Sequence, residues 1–325
     1  MIISRTPLRL SFAGGGTDLK AFYEVEPGAV IGTTIDKYIY IAVNQPLDET
    51  IKVSYWKTEI VDSVDHVEHS IAREALKLTG LTGRIEVVSV SDVPSGTGLG
   101  SSGSFTVGLL NALYAYKSVF VSKEQLAREA CTVEIDLLGA PIGRQDQYLA
   151  ACGGLHFIQF NPDDSVFVEA VPCPAEVKKA LQNNLMLFYV GRPRDAGSIL
   201  AEQRAKTKDR DRFKLLKRIK EIALEMKKLL IEGKDLRRFG ELLNEEWINK
   251  KSLVGGITNQ TIDEYYDKAL AAGAIGGKLA GAGGGGFLLL YCEEYNQQRV
   301  RNALIEVKEV RFSFESQGSS IISSG

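Results

Sequence analysis

Histidine and cysteine are scarce in this chain, three and four residues in 325, and the cysteines (Cys131, Cys152, Cys173, Cys292) lie far apart with no C-x-x-C pair. That spacing excludes a disulfide framework and a cysteine zinc site, and the four read as buried thiols of a cytoplasmic protein. His66, His69 and His156 are too few for a His-dominated metal centre. No run approaches ~18 consecutive apolar residues, so no membrane span is expected. The opening Met1-Ile-Ile-Ser-Arg-Thr-Pro-Leu-Arg lacks the apolar core of a secretion signal, so residue 1 is expected to lie close to the mature start. Charge of one sign is also missing: 39 Lys plus Arg face 41 Asp plus Glu, a net of −2. Neither nucleic acid nor an anionic membrane is called for as a partner.

With 44% hydrophobic residues, the composition is that of an ordinary globular protein, and the length suggests about two domains. Residues 2–12, 29–44 and 84–91 read as strands. Val67, Ile71, Ala75 and Leu78 recur at helical spacing up to Gly80. Residues 101–117 are apolar all round, as in a buried helix. Ser122 and Gln125 form a capping box for a helix to about Leu138, and Pro141 suits the first turn of another that ends at Gly153-Gly154. After a pause at 161–184, the second half is mostly helical: 198–231 with a break near 208–212, then 235–250 and 259–272. Strands follow at Phe287–Cys292 and around Val310, Phe312 and Phe314. The expected class is α+β in two lobes, residues 1–170 and 171–325. Residues 192–234 hold 14 basic against 7 acidic residues. Without interleaved aromatics this is the solvated face of a long helix rather than a nucleic-acid surface.

The abundant residue is glycine, 32 in all, gathered in three clusters. Phe12-Ala-Gly-Gly-Gly-Thr-Asp18 follows a strand. Pro94-Ser-Gly-Thr-Gly-Leu-Gly-Ser-Ser-Gly-Ser104 lies between a strand and the buried helix. Lys278-Leu-Ala-Gly-Ala-Gly-Gly-Gly-Gly286 precedes a strand. A glycine-rich turn opening a helix offers free N–H groups to an anion, and the helix dipole adds to the attraction. The second cluster is therefore the candidate phosphate loop, 94–104. No lysine follows it as a Walker loop requires. Gly98-x-Gly100-x-x-Gly103 and Gly281-x-Gly283-x-x-Gly286 also satisfy the dinucleotide fingerprint. However, the acid due about 20 residues on falls at Lys123-Glu124, in a helix start. Glu134 shares a helical row with Ala127, Cys131 and Leu138, and Asp146 a face with Ile142 and Leu149, so both carboxylates are expected inside. Two inward acids after a phosphate loop suggest one to hold a metal and one to meet a hydroxyl, as phosphoryl transfer requires.

These clusters, in this order, resemble the GHMP kinase superfamily, whose signature P-x-x-x-G-L-G-S-S-[AG] runs without a gap from Pro94 to Gly103. The Arg5 to Asp18 segment is similar to the sugar-1-kinase branch. Its Gly-Gly-Gly-Thr-Asp form is most similar to the D-glycero-D-manno-heptose 7-phosphate kinases, with L-fucose and other hexose kinases close behind. The resemblance implies an N-terminal lobe like domain 2 of ribosomal protein S5, a ferredoxin-like C-terminal lobe with added helices, and ATP and Mg²⁺ as cofactors. It implies that Pro94, Ser95, Gly96, Thr97, Gly98, Leu99, Gly100, Ser101 and Ser102 bind ATP, and that Ser102 and Glu134 hold the metal. Asp146 would be the base, with Arg9 orienting it or stabilising the transferring phosphoryl group. Gly15, Gly16, Thr17 and Asp18 would bind the sugar, and Gly283 and Gly284 would close over it. Gly103 stands where the family more often has alanine, with no expected effect on the chemistry. A sugar that already carries a phosphate needs a second anion site, for which Lys20, Arg144, Arg192 and Arg194 are candidates. Tyr55 and Trp56 are candidates for the adenine pocket, with Trp56 read first as lobe packing. A non-catalytic sensor of ATP and sugar is the alternative class.

Overall fold

β-Branched stretches open the chain as strands, and the computed structural model describes residues 1–191, 196–207 and 209–324. The first lobe runs β1 (Ile2–Ala13), α1 (Lys20–Tyr23), β2 (Gly28–Asn44), β3 (Ile51–Ser54), β4 (Thr58–Val61), α2 (Ser70–Thr79) and β5 (Ile85–Ser91). It continues with α3 (Ser101–Tyr116), α4 (Lys123–Cys131), α5 (Gln145–Cys152), β6 (Leu155–Phe160) and β7 (Val166–Ala170). The second lobe holds α6 (Ala175–Asn184), β8 (Leu185–Tyr189), α7 (Ala196–Lys206), α8 (Arg210–Glu232), α9 (Leu236–Lys251) and α10 (Gln260–Ala271). Then come β9 (Gly276–Leu279), β10 (Phe287–Tyr291), α11 (Glu294–Ala303) and β11 (Lys308–Glu309), and the chain ends with β12 (Phe314–Glu315) and β13 (Ser320–Ser324).

β2 is the spine of the first sheet. One edge pairs with β1 along nearly its whole length, and the other is shared by β6, β12 and β5. β3 pairs with β5 in parallel, and the remaining pairs of this sheet are antiparallel. α3 packs on β1 and β2 with Val107, Leu109, Leu110 and Leu113 fully buried, as its all-round apolar pattern required. The second sheet has the order β11-β8-β10-β9. In chain order its four strands therefore lie 4-1-3-2 with helices between, the ferredoxin-like β-α-β-β-α-β arrangement. Among the described residues no helix is long and apolar enough to cross a membrane.

Several expectations are corrected. The chain does not divide at a single cut, because β12 and β13 return to the first sheet, pairing with β2 and β1. The expected pause at 161–184 contains β7 and α6. The helix expected from Pro141 begins only at Gln145. Ser122 Oγ accepts the Gln125 N–H at 3.1 Å, but the Gln125 amide reaches Glu129 instead of closing a capping box. Beyond Cys131 the helix widens into a π-helical turn, Thr132–Leu137. The basic run on α8 is largely paired: Arg218 with Glu221, Glu225 and Glu245, Lys217 and Lys220 with Glu26, and Lys227 with Glu169.

The lobes meet through apolar and polar contacts at β1. Phe239 of α9 is fully buried with its ring edge-on to Phe12, 5.2 Å between centroids. Lys278 of β9 donates to the Phe12 carbonyl at 3.1 Å. Truncating Phe239 leaves a ring-sized void between lobes. Phe239→Ala is expected to lower the unfolding free energy by about 3–5 kcal/mol, read by urea denaturation.

Candidate active site

The phosphate loop joins β5 to α3, and its backbone alternates through left-handed glycines, with φ of 74° at Gly96, 87° at Gly98 and 75° at Gly100. Such alternation turns successive amides toward one concavity. Gly100 caps α3 with no side-chain hydrogen bond, so the first N–H groups of a 16-residue helix are left facing the loop. Of the amides expected to cradle phosphate, that of Gly96 is held by Ser101 Oγ at 3.3 Å. Thr97 and Leu99 are buried anchors: Thr97 Oγ1 bonds the Pro94 carbonyl at 2.8 Å, and the Leu99 carbonyl accepts the Arg9 N–H at 3.0 Å.

The third glycine cluster lies directly on this loop. A Cβ on Gly98 would collide with the Ala280 carbonyl, and one on Gly281 with the Gly98 Cα. Backbone therefore packs on backbone, which only glycine permits at these positive φ values. Gly281 and Ala282, rather than Gly283 and Gly284, line the pocket that this contact roofs. Gly283 packs on Ile257, and Gly284 donates to the Ile257 carbonyl and faces a separate groove.

Asp146, in the first turn of α5, is gripped by Arg9 of β1: Nε to Oδ1 and Nη2 to Oδ2, both 2.7 Å. The third arm, Nη1, donates to the Gly98 carbonyl at 2.6 Å. Arg9 is 4% exposed and Asp146 26%, so the carboxylate is reachable while its cation is sealed behind it. Arg9 thus orients Asp146 and ties it to the phosphate loop. A Cβ on Gly103 would come within 2.9 Å of Asp146 Cβ. Glycine at 103 lets α3 and α5 meet closely here, where an alanine methyl would require a small shift.

Asp18 is buried and accepts from the Gly16 N–H at 2.8 Å, the Gln145 N–H at 3.1 Å and Gln145 Nε2 at 3.0 Å. Burial pushes its pKa up against these donors. Gly15, Gly16 and Asp18 line the same pocket as Arg9 and Asp146. Thr17 does not. Its hydroxyl is fully buried, shares its hydrogen between the carbonyls of Gly14 and Ala29 and accepts the Ala29 N–H, so it fastens the loop to β2 away from the pocket lining. Arg144 and Lys20 are also corrected. Both pair with Asp164, at 3.2 and 3.0 Å, and Arg144 stacks on Tyr23, outside the pocket. Arg192 and Arg194 lie outside the described residues.

On the other side of the phosphate loop, Pro94, Ser95, Gly96, Ser101 and Ser102 line a second pocket with Tyr55, Trp56, His69 and Phe105. Trp56 is 84% exposed, so it is not lobe packing. His69, missed in the sequence, stacks on Phe105 at 4.8 Å and meets Tyr55 edge-on at 4.6 Å. Glu134, carried inward by the π-helical turn, accepts Ser102 Oγ on one oxygen and Gln147 Nε2 at 2.8 Å on the other. Burial raises its pKa despite these donors, with the Asp146 charge adding to the rise. A buried carboxylate beside a hydroxyl at a phosphate loop suits Mg²⁺, which takes one or two protein oxygens and fills its shell with water and phosphate. The described residues hold no cluster of three or more metal-ligating side chains, so Ser102 and Glu134 fit this metal and not a protein-caged one.

This is the build of a small-molecule kinase: two pockets, one on each side of a phosphate loop, with a clamped carboxylate in the inner one. Sequence comparison agrees. Residues 65–154 match the GHMP kinases N terminal domain and residues 226–309 the GHMP kinases C terminal domain, together more than half of the chain. D-glycero-alpha-D-manno-heptose 7-phosphate kinase of Campylobacter jejuni is 28% identical, aligned over 98% of this chain and 97% of its own. The galactokinase of Pyrococcus furiosus is 26% identical over 97% and 96%. The crystal structure of a D-glycero-D-manno-heptose 1-phosphate kinase from Bacteroides thetaiotaomicron superposes with a TM-score of 0.82 at 25% identity, covering 100% of both chains. The chain belongs to the GHMP kinase family and is a kinase enzyme.

Glu134 offers a test of the metal site. Because burial raises its pKa, the ionised form costs stability at neutral pH, and that cost fades as pH falls from the raised pKa toward the carboxylate's ordinary value of 4.5. Without metal, Glu134→Gln is expected to melt above the wild type at pH 7, with the gap closing toward pH 4. With Mg²⁺ and a non-hydrolysable ATP analogue the wild type should gain more than the variant. Thermal denaturation across pH reads both.

Proposed function

We propose that this sugar kinase transfers the γ-phosphoryl group of ATP to the anomeric C1 hydroxyl of D-glycero-D-manno-heptose 7-phosphate, giving the 1,7-bisphosphate. That it is a kinase follows from its family, and sugar kinases stand among its full-length relatives. The acceptor and the position phosphorylated are the proposed part. The observation that carries the mechanism is the two-armed hold of Arg9 on a reachable Asp146, next to the phosphate loop and beside Asp18.

In this reading Tyr55, Trp56 and His69 line the nucleotide base pocket, and the amides at the start of α3 take the phosphates. Ser102 and Glu134 would hold Mg²⁺, which would supply charge neutralisation for the transferring phosphoryl group. Asp18, with Gln145 and Gly16 fixing its carboxylate, accepts hydrogen bonds from sugar hydroxyls. Asp146 takes the proton of the attacking hydroxyl as its oxygen bonds the γ-phosphorus. The bond from that phosphorus to the β,γ-bridging oxygen breaks, and ADP leaves with the electron pair. Gly281 and Ala282 roof the pocket against water.

The C7 phosphate falls to Arg192 and Arg194, ahead of α7, since Lys20 and Arg144 are paired with Asp164. That pairing favours one second reading, a 1-kinase for L-fucose or another unphosphorylated hexose. A non-catalytic sensor is disfavoured, because Asp146, Arg9, Ser102 and Glu134 are all present, the first two paired with each other and the last two hydrogen-bonded.

Mg²⁺- and ATP-dependent ADP release, with the heptose 7-phosphate beside L-fucose, mannose, mannose 6-phosphate and galactose, tests the acceptor. Turnover confined to the heptose phosphate supports the proposal, and turnover only with a free hexose replaces it with the second reading. Asp146→Asn should lower kcat by at least about 10²-fold with ATP binding kept. An unchanged kcat would remove Asp146 from the base role.

A further inference from the structure

Hydrogen-bond accounting around the inner pocket leaves one cation unassigned. Arg9 has its Nε, Nη1 and Nη2 on Asp146 and the Gly98 carbonyl. Lys278 is 1% exposed and donates to Glu246 Oε1 at 2.8 Å and to the Phe12 carbonyl. Lys250, near the C-terminal end of α9, also lines the pocket. Its ammonium makes one hydrogen bond, to the Gly281 carbonyl, and among the described residues no carboxylate lies within ion-pair distance. An ammonium has three N–H donors, so two remain for a ligand. Gly281 is the residue whose backbone rests on Gly98 of the phosphate loop. Lys250 therefore stands at the phosphoryl end of the pocket, one backbone layer from the loop.

We propose that Lys250 is a catalytic residue whose ammonium contacts the γ-phosphoryl oxygens during transfer, supplying the charge stabilisation that Arg9, held by Asp146 and Gly98, does not. This rests on the reading that the inner pocket holds the acceptor and the transferring group. Loose phosphoryl transition states spread charge over three oxygens, and a donor aimed at them acts in the transition state more than in the ground state. The electrostatics agree. Burial, then the like charges of Lys278 and Arg9, pull the Lys250 pKa down to about 7, against Glu246 and Asp18. With Asp146, these are the charged groups around the pocket. An arriving anion shifts that balance toward the protonated form.

The experiment compares wild type, Lys250→Met and Lys250→Arg. Methionine matches the stem and removes a buried amine, so the variant is expected to fold, and its thermal melt checks this. Two readouts follow. The first is affinity by calorimetry for Mg²⁺–ADP alone and for Mg²⁺–ADP with aluminium fluoride, a planar stand-in for the transferring group. Lys250→Met should bind Mg²⁺–ADP as the wild type does and lose on the order of 10²-fold or more of the added affinity from fluoride. This needs no sugar, so it stands even if the proposed acceptor is wrong. Equal fluoride affinity in both proteins would overturn the proposal.

The second readout is turnover with whichever sugar the wild type accepts. For Lys250→Met we expect a kcat loss on the order of 10²–10³-fold with sugar KM within a few-fold. A raised KM at unchanged kcat would place Lys250 on the sugar's own phosphate and refute the transition-state role. Because the charged amine is the active form, wild-type kcat/KM should fall as pH rises through about 7. That limb should vanish in Lys250→Arg, which keeps its charge and part of the rate. A limb unchanged in the arginine variant counts against the proposal.

Discussion

Charge taken out of water has to find a partner, and the meeting of the two lobes is organised around that requirement. Three cations, Arg9, Lys250 and Lys278, share one pocket region with three carboxylates, Asp18, Asp146 and Glu246. Each would cost several kcal/mol to bury alone. Arg9 and Asp146 pair within the first lobe, and Lys278 and Glu246 within the second. Asp18 is held by three N–H donors instead of a cation. The second pair also reaches across to the β1 backbone at Phe12. Opening the lobes would strip that contact and expose the Phe12–Phe239 stack together, so the polar and apolar parts of the junction reinforce each other.

The glycine loops answer a different demand, closeness. For a carboxylate on α5 to stand beside a phosphate held at the start of α3, the two helices must touch where Gly103 meets Asp146. For the roof of the pocket to lie on the phosphate loop, Gly281 must sit on Gly98 without side chains between them. A methyl group at the Gly98–Gly281 contact forces backbone apart, and reacting atoms separated by a further ångström lose most of the advantage of being bound together. The glycines shorten distances as much as they bend the chain.

How far this was legible from sequence depends on the kind of signal. Periodicity located β1, β2, β5, α3, α8 and α9, because each has a clear apolar face or an apolar run. It missed β7 and α6, whose faces are only partly buried, and it misjudged the start of α5. Within the site, helical spacing places Glu134 and Asp146 inside, and Arg9, Asp18 and Ser102 come from motif resemblance. The structure puts Arg9, Asp18 and Asp146 in one pocket and pairs Ser102 with Glu134 beside it. Thr17 and Arg144 were misplaced for a common reason. A motif specifies which residues are present but not which way they turn, and both face protein partners. Lys250 was missed although it left a trace: Phe239, Leu243, Glu246 and Lys250 continue one buried stripe along α9. Two charged residues on an apolar stripe signal a buried polar site. The neighbour Lys251 points outward to Asp263 and Trp247, and nothing in the dipeptide says which lysine turns in.

The two pockets divide unequally between the lobes, and that division has a consequence for specificity. The outer pocket is lined wholly from the first lobe, by residues between Ile39 and Phe105. The inner pocket draws on both, with Leu200, Gln203, Lys250, Lys278 and Gly281 from the second. In the proposed reading the nucleotide pocket is therefore built by the first lobe alone, while the second lobe supplies part of the wall around the acceptor. Under the same proposal the amide loop, the Arg9–Asp146 clamp and Lys250 act on atoms common to every acceptor: a hydroxyl proton and a phosphoryl group. Leu200 and Gln203 of α7, which line the same pocket, would meet what differs between acceptors. In that reading the groups that carry the chemistry and those that would select the acceptor sit on different elements of the chain.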